Sequence, residues 1–157
     1  MNNSHLVRAR HASCGCLLGA SPAGSQTQAI HILHDGCNLA VEGFELAIDC
    51  DKCQAIPTRS KRPDLFVLRR TSGKSEWIVI EIKDQMDGDA IPQIRAGLNV
   101  IATSSYFAGL GVESVSALLA YVLQVRRTAS VNRLRQPLSL ERQSVLVTLH
   151  QCGSDVI

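Results

Sequence analysis

Residues 62–85, RPDLFVLRRTSGKSEWIVIEIKDQ, constrain the fold more than any other stretch of the chain. Two runs rich in branched and aromatic residues, DLFVLRR and EWIVIEIK, flank the short Gly-containing connection TSGKS. Such runs at that spacing predict an antiparallel β-hairpin. In a strand the side chains alternate between faces. Ile78, Ile80 and Ile82 therefore share one face, and Trp77, Val79, Glu81 and Lys83 share the other. Glu81 and Lys83 stand side by side at the end of an apolar strand, roughly 7 Å apart along it. Asp64 opens the preceding strand, so hairpin pairing sets it opposite Glu81.

The elements around this hairpin follow from composition and period. SQTQAIHILHDG (25–36) predicts a short helix capped by Ser25 and stopped near Gly36. NLAVEGFELAIDC (38–50) predicts a strand, with Gly43 marking a bulge or a turn. CQAIPTRSKRP is a loop by composition. AIPQIRAGLNVIATSSY predicts a helix, with Pro92 in its first turn and an apolar stripe of Ile91, Ile94, Leu98 and Ile101. The length of SVSALLAYVLQV does not separate strand from helix; following a sheet and a helix, it is read as a strand. RRTASVNRLRQPLSLERQ is read as a polar, basic connection and SVLVTLHQ as a last strand. The expected fold class is α/β, a central mixed β-sheet flanked by helices, in the order α-β-β-β-α-β plus a C-terminal strand. All 157 residues fit one domain, with an irregular segment over residues 1–24.

Composition limits the function classes. Aromatic residues are 4% of the chain, too few for an extended base-stacking platform. The net charge of +2 neither requires nor forbids a nucleic-acid partner; clustering of the positive charge decides. No apolar run approaches the ~20 residues of a membrane span, and the N-terminus lacks the apolar core of a secretory signal. The expectation is a cytoplasmic protein with no membrane partner, whose six cysteines are thiols or metal ligands rather than disulfides.

Two carboxylates forced together need neutralising charge, and a hard divalent cation supplies it. Mg²⁺ (or Mn²⁺) held by Asp64 and Glu81 would polarise a phosphoryl oxygen and acidify a bound water, while the Lys83 ammonium orients that water and stabilises developing negative charge. The chemistry this suits is metal-dependent hydrolysis of a phosphodiester. A solvated Glu–Lys pair at a strand end is the plain alternative.

Pro63-Asp64, sixteen intervening residues, then Glu81-Ile82-Lys83 resembles the signature of the PD-(D/E)XK nuclease superfamily, which has the restriction-endonuclease-like fold. The similarity spans about residues 25 to 125, in element order as well as motif. It implies an Mg²⁺-dependent endonuclease acting on DNA, less often RNA, and serving bacterial defence or DNA repair. Position by position it implies that Asp64 and Glu81 bind metal, that Ile82 offers a backbone carbonyl, and that Lys83 positions or activates the attacking water. Many members carry Gln in a Q-x-x-x-Y pattern on the next helix; Gln93 sits in that region, but residue 97 is Gly, not Tyr. Members often add a Glu from the first helix. Helix 25–35 has none, and Glu42 and Glu45 are the nearest substitutes, with Glu45 preferred. If residues 38–50 were helical, these two would share a face.

The remaining motifs carry weaker signals. Cys14-x-Cys16 and Cys50-x-x-Cys53 have the spacing to wrap one structural Zn²⁺, against a reading as buried thiols. Arg59, Lys61 and Arg62 run into Asp64, and Arg126 and Arg127 head a second basic group with Arg133 and Arg135; both suit phosphate contacts. Asp84, Asp87 and Asp89 follow Lys83, with Asp89 placed to cap the next helix. His31-x-x-His34 on a helix is more often structural than metal-binding. Target choice would come from a homodimer or a protein partner. The competing function is a non-catalytic module on the same fold that binds nucleic acid or protein.

Overall fold

The computed structural model describes residues 15–20, 30–54, 56, 61–71, 74–84, 89–103, 115–125, 135–139 and 144–153. Nine strands and one helix occur among them: β1 (Leu17–Ala20), β2 (Ile30–His34), β3 (Cys37–Val41), β4 (Phe44–Asp49), β5 (Leu65–Thr71), β6 (Lys74–Lys83), α1 (Ala90–Thr103), β7 (Val115–Gln124), β8 (Arg135–Ser139) and β9 (Ser144–Gln151). Seven strands form one mixed sheet in the order β1-β4-β5-β6-β7-β9-β8, and β2 pairs with β3 in a separate ribbon. Strands β6, β7 and β9 run parallel and every other pairing is antiparallel. A parallel step needs a crossover, and α1 supplies it between β6 and β7.

The two faces of β6 sort as the alternation predicts. Trp77 and Val79 join a core with Leu46, Ile48, Phe66 and Leu68 of the sheet and Ile94, Leu98 and Ile101 of α1. Ile78, Ile80 and Ile82 join a second core with Cys37, Leu39 and Val41 of β3. The sheet is thus covered by α1 on one face and by the β2–β3 ribbon on the other. Each fully buried Ile on this strand stabilises the fold by about 1.5–3 kcal/mol. No helix among the described residues is long and apolar enough to cross a membrane.

Several expectations are corrected. Where a helix over residues 25–35 was expected, Ile30–His34 is strand β2. Asp35 and Gly36 both have positive φ, at 48° and 74°, the requirement of a type I′ hairpin turn. Asp-Gly is a hairpin signal here, not a helix stop. The strand expected over 38–50 is two strands, divided by a turn in which Gly43 has φ 68°. The helical alternative for that segment falls with it. Residues 17–20, inside the segment expected to be irregular, form edge strand β1 on β4. Arg135–Ser139, within the expected polar connection, form edge strand β8 on β9. Pro137 is compatible with this, because an edge strand can lack one N–H donor. The architecture is α/β with a mixed sheet, and one helix rather than two among the described residues.

The cysteines also depart from expectation. Cys37 and Cys152 form a disulfide across 115 positions of sequence, so the six cysteines are not all thiols or metal ligands. With the Gly153 N–H donating to Asn38 O at 3.0 Å, it fastens the end of β9 to the start of β3.

Candidate functional site

The hairpin register carries Asp64 to Glu81. Leu65 pairs with Ile80, so the residue before β5 lies beside the residue after Ile80. The Asp64 N–H donates to Ile80 O at 3.1 Å, and the Ile82 N–H donates to Asp64 Oδ2 at 2.6 Å. The Asp64 carboxylate thus replaces the backbone acceptor that β5 no longer provides. A hydrogen bond of this charge-assisted kind contributes about 1.5–3 kcal/mol. The parallel strands end in step, with Lys83 in register with Gln124 and Gln124 with Gln151. The site therefore lies at the carboxyl ends of the parallel strands, where open α/β sheets place their ligands.

Glu81 is only 2% exposed. Its Oε1 accepts an ion pair from Lys83 Nζ at 3.0 Å. Its Oε2 is buried without a hydrogen-bond partner among the described residues. Burial raises its pKa first, and the Asp64 charge adds to this against the opposing pull of Lys83, taking it to about 8. Asp64 is also raised, by burial first and then by Asp35, while the Ile82 N–H and His34 pull it down. Two carboxylates are both acceptors, and one of them must carry a proton or both must face a cation.

A third acid joins them from the ribbon. The side chains of His34, Asp35 and Asp64 bring one ligand atom each to within 4.8 Å of one another. His34 therefore lies on a strand rather than a helix, and it and Asp35 stand beside Asp64. The Asp-Gly turn was the signal for both, since a I′ turn at residues 35–36 ends β2 at His34.

The other candidates fall into place around this centre. Ile82 turns its side chain to the ribbon-side core, and its N–H is the one held by Asp64. Gln93 donates from Nε2 to Arg62 O at 3.4 Å, tying α1 to the segment that leads into Asp64. Its Oε1 is buried without a hydrogen-bond partner among the described residues. A Cβ at Gly97 would lie 2.6 Å from Pro63 Cγ and 2.9 Å from Val79 Cγ1, so the Tyr found there in the resembled pattern has no room. Asp89 precedes Ala90, and its carbonyl accepts the Gln93 N–H, as at a helix start.

Glu45 does not supply the extra acid. It lies on β4 four residues before Asp49, whose partner Leu65 adjoins Asp64, so it stands ~13 Å up the strand from the site. Glu42 is exposed in the β3–β4 turn. The basic candidates are unevenly placed. Lys61 is exposed. Arg62 reaches back to Cys50 O at 3.3 Å and pairs with Asp51 at 4.0 Å, which fixes the loop rather than presenting a free charge. Arg69 is held by Glu76 at 2.7 Å. Arg59, Arg126, Arg127 and Arg133 lie outside the described residues, as does Asp87.

The four-cysteine zinc reading is not upheld. Cys16 is disulfide-bonded, and Cys14 lies outside the described residues. Cys50 and Cys53 are free and buried. Burial, then Cys53 and the nearby acids, push the Cys50 thiol well up, away from the thiolate that zinc needs.

A hard divalent cation fits what remains. The converging donors are the His34 imidazole and the Asp35 and Asp64 carboxylates, and Glu81, paired with Asp64 across the hairpin end, keeps its Oε2 buried without a hydrogen-bond partner among the described residues. No family model matches the chain, and neither a curated protein nor a solved structure matches it.

Proposed function

We propose that this chain is a metal-dependent endonuclease of PD-(D/E)XK type that hydrolyses phosphodiester bonds, with DNA ahead of RNA as substrate. What supports the reading above all is that Asp64, Glu81 and Lys83 meet at one sheet end, with Lys83 Nζ 3.0 Å from Glu81 and the other Glu81 oxygen buried and unpartnered. Asp64, Glu81 and the Ile82 carbonyl would hold Mg²⁺ or Mn²⁺. Once bound, such a cation polarises a phosphoryl oxygen and makes its water a better nucleophile. Lys83, whose Nζ lies 3.0 Å from Glu81 Oε1, orients the attacking water and stabilises the extra negative charge on phosphorus-bound oxygen. The water oxygen attacks phosphorus, the bond to the leaving oxygen breaks, and that oxygen ends protonated. Lys61 offers its exposed charge to the backbone beside the site. Cutting both strands of a duplex takes two copies of the site, hence a homodimer or a partner that also selects the target. Defence against foreign DNA and DNA repair are the settings this activity fits. A cytoplasmic setting belongs to the same proposal; the Cys37–Cys152 disulfide weighs against it, and alkylation of thiols in freshly lysed cells decides.

The test is incubation of the purified chain with supercoiled and linear duplex, single-stranded DNA and RNA, in Mg²⁺, Mn²⁺ or EDTA. Wild type cuts only with metal, and Asp64→Ala and Lys83→Ala each lower the rate by at least about 100-fold. A folded wild type that cuts nothing sinks the catalytic reading in favour of a binding module. Cutting that survives both substitutions places the chemistry elsewhere.

A further inference from the structure

His34 and Asp35 enter the site from an element outside the hairpin that carries Asp64, Glu81 and Lys83. The I′ turn fixes the backbone of Asp35 and Gly36, the Cys37–Cys152 disulfide anchors the next residue, and Asn38 O is bonded to the Gly153 N–H. The turn is thus held in place by the far end of the chain. His34 Nε2 is buried and makes no hydrogen bond among the described residues, although Asp35 Oδ2 lies 3.3 Å away. The two atoms stand at ion-pair distance, and with Asp64 they bring three donor atoms within 4.8 Å of one another, an arrangement that suits a shared cation. Donor atoms on opposite sides of an ion bound at ~2.1 Å stand ~4.2 Å apart, close to the 4.8 Å that bounds this group. Glu81 Oε2 is buried without a hydrogen-bond partner among the described residues, and the Asp64 charge helps raise the Glu81 pKa, so a cation held by Asp64 would relieve Glu81 as well. Asp35 is 59% exposed on its side chain and His34 14%, so the centre opens to solvent on the Asp35 side, where waters or a phosphate can enter.

We infer that the β2–β3 turn completes the cation centre with the His34 imidazole and the Asp35 carboxylate, making it a mixed nitrogen–oxygen site that takes a divalent transition ion of the Mn²⁺ type in preference to Mg²⁺. The inference deepens the function proposed above and rests on its site. The physical reason is donor chemistry. Mg²⁺ demands oxygen donors in near-octahedral geometry and sheds its waters reluctantly, whereas imidazole suits transition ions and carboxylates suit Mn²⁺. An imidazole in the inner shell tilts the choice toward Mn²⁺ without excluding the oxygens.

The test uses Mn²⁺ itself with the full chain, read by electron paramagnetic resonance and needing no catalysis. Titration gives the affinity, Mg²⁺ competition gives the preference, and electron spin-echo modulation reveals nitrogen bound to manganese. Wild type binds Mn²⁺ at least about tenfold more tightly than Mg²⁺ and displays the nitrogen coupling. His34→Ala removes the coupling and weakens Mn²⁺ about tenfold or more, while Mg²⁺ affinity moves by less than about twofold. His34→Gln, which keeps the bulk, serves where the alanine variant does not fold, and Asp35→Asn weakens both ions. An oxygen-only manganese signal in wild type, or a nitrogen signal that persists without His34, overturns the inference. Nitrogen coupling in a protein that cuts no nucleic acid leaves this centre standing and removes the nuclease; cutting with an oxygen-only signal does the reverse.

Discussion

A carboxylate sealed beneath a sheet end, as Glu81 is, must find a cation or hold a proton. Without metal it holds a proton over an unusual range, because its pKa is raised from 4.5 to about 8. The folded state then binds more protons than the unfolded state between those values, so this group's contribution to stability is complete below pH 4.5 and is lost as pH rises through 8. Asp64, raised in the same direction, adds to the trend. In EDTA the melting temperature therefore falls between pH 5 and pH 8. Glu81→Gln flattens that slope, and saturating Mn²⁺ removes it in wild type; a wild-type melting temperature that rises across this range refutes the account. Asp64, Glu81 and Lys83 were legible as a group because strand alternation and hairpin pairing are local rules. Glu45 was misjudged because its place depends on where β4 starts relative to β5. The I′ turn that brings His34 and Asp35 beside Asp64 was legible in the Asp-Gly pair but was masked by the apparent helical spacing before it.

The strands around the site form where branched residues alternate, and α1 forms where Ile94, Leu98 and Ile101 recur at helical spacing. How closely α1 settles onto the sheet is decided at Gly97. Its missing side chain admits Pro63, Val79 and Phe66, the first of which leads straight into Asp64. Gly97→Ala gains up to about 1 kcal/mol of helix propensity and loses about 1–3 kcal/mol to overpacking, because a proline ring cannot swing aside. A net loss of stability is expected in urea melts, together with a shift of the Gln93–Arg62 contact that weakens Mn²⁺ binding. A variant as stable as wild type would mean that the helix can back away freely. The close approach was hidden in the sequence: Gly97 reads there as a mild flaw in a helix, since its neighbours come from β5, β6 and the segment before β5.

Across the molecule, the Cys37–Cys152 disulfide closes a 115-residue span and ties the ribbon to the end of the last strand. Reduction, or replacement of both cysteines by serine, lowers stability by about 2–4 kcal/mol and lets the His34–Asp35 turn move. Mn²⁺ affinity falls with it, whereas equal binding by the oxidised and reduced forms would show that the ribbon's own core contacts are sufficient to hold the turn. Local pattern alone was enough for the β5–β6 hairpin, the order of its two faces, the helix after it and the meeting of Asp64 with Glu81 and Lys83. Each of these rests on periods of two or 3.6 residues and on pairing across a short turn. It took the folded molecule to show that a strand ribbon and not a helix covers the second face of the sheet, that Cys37 meets Cys152, and that Asp35 lies beside Asp64 while Glu45 does not. Those outcomes depend on contacts between segments far apart in the chain, whose energies come from surfaces that exist only once the sheet has formed.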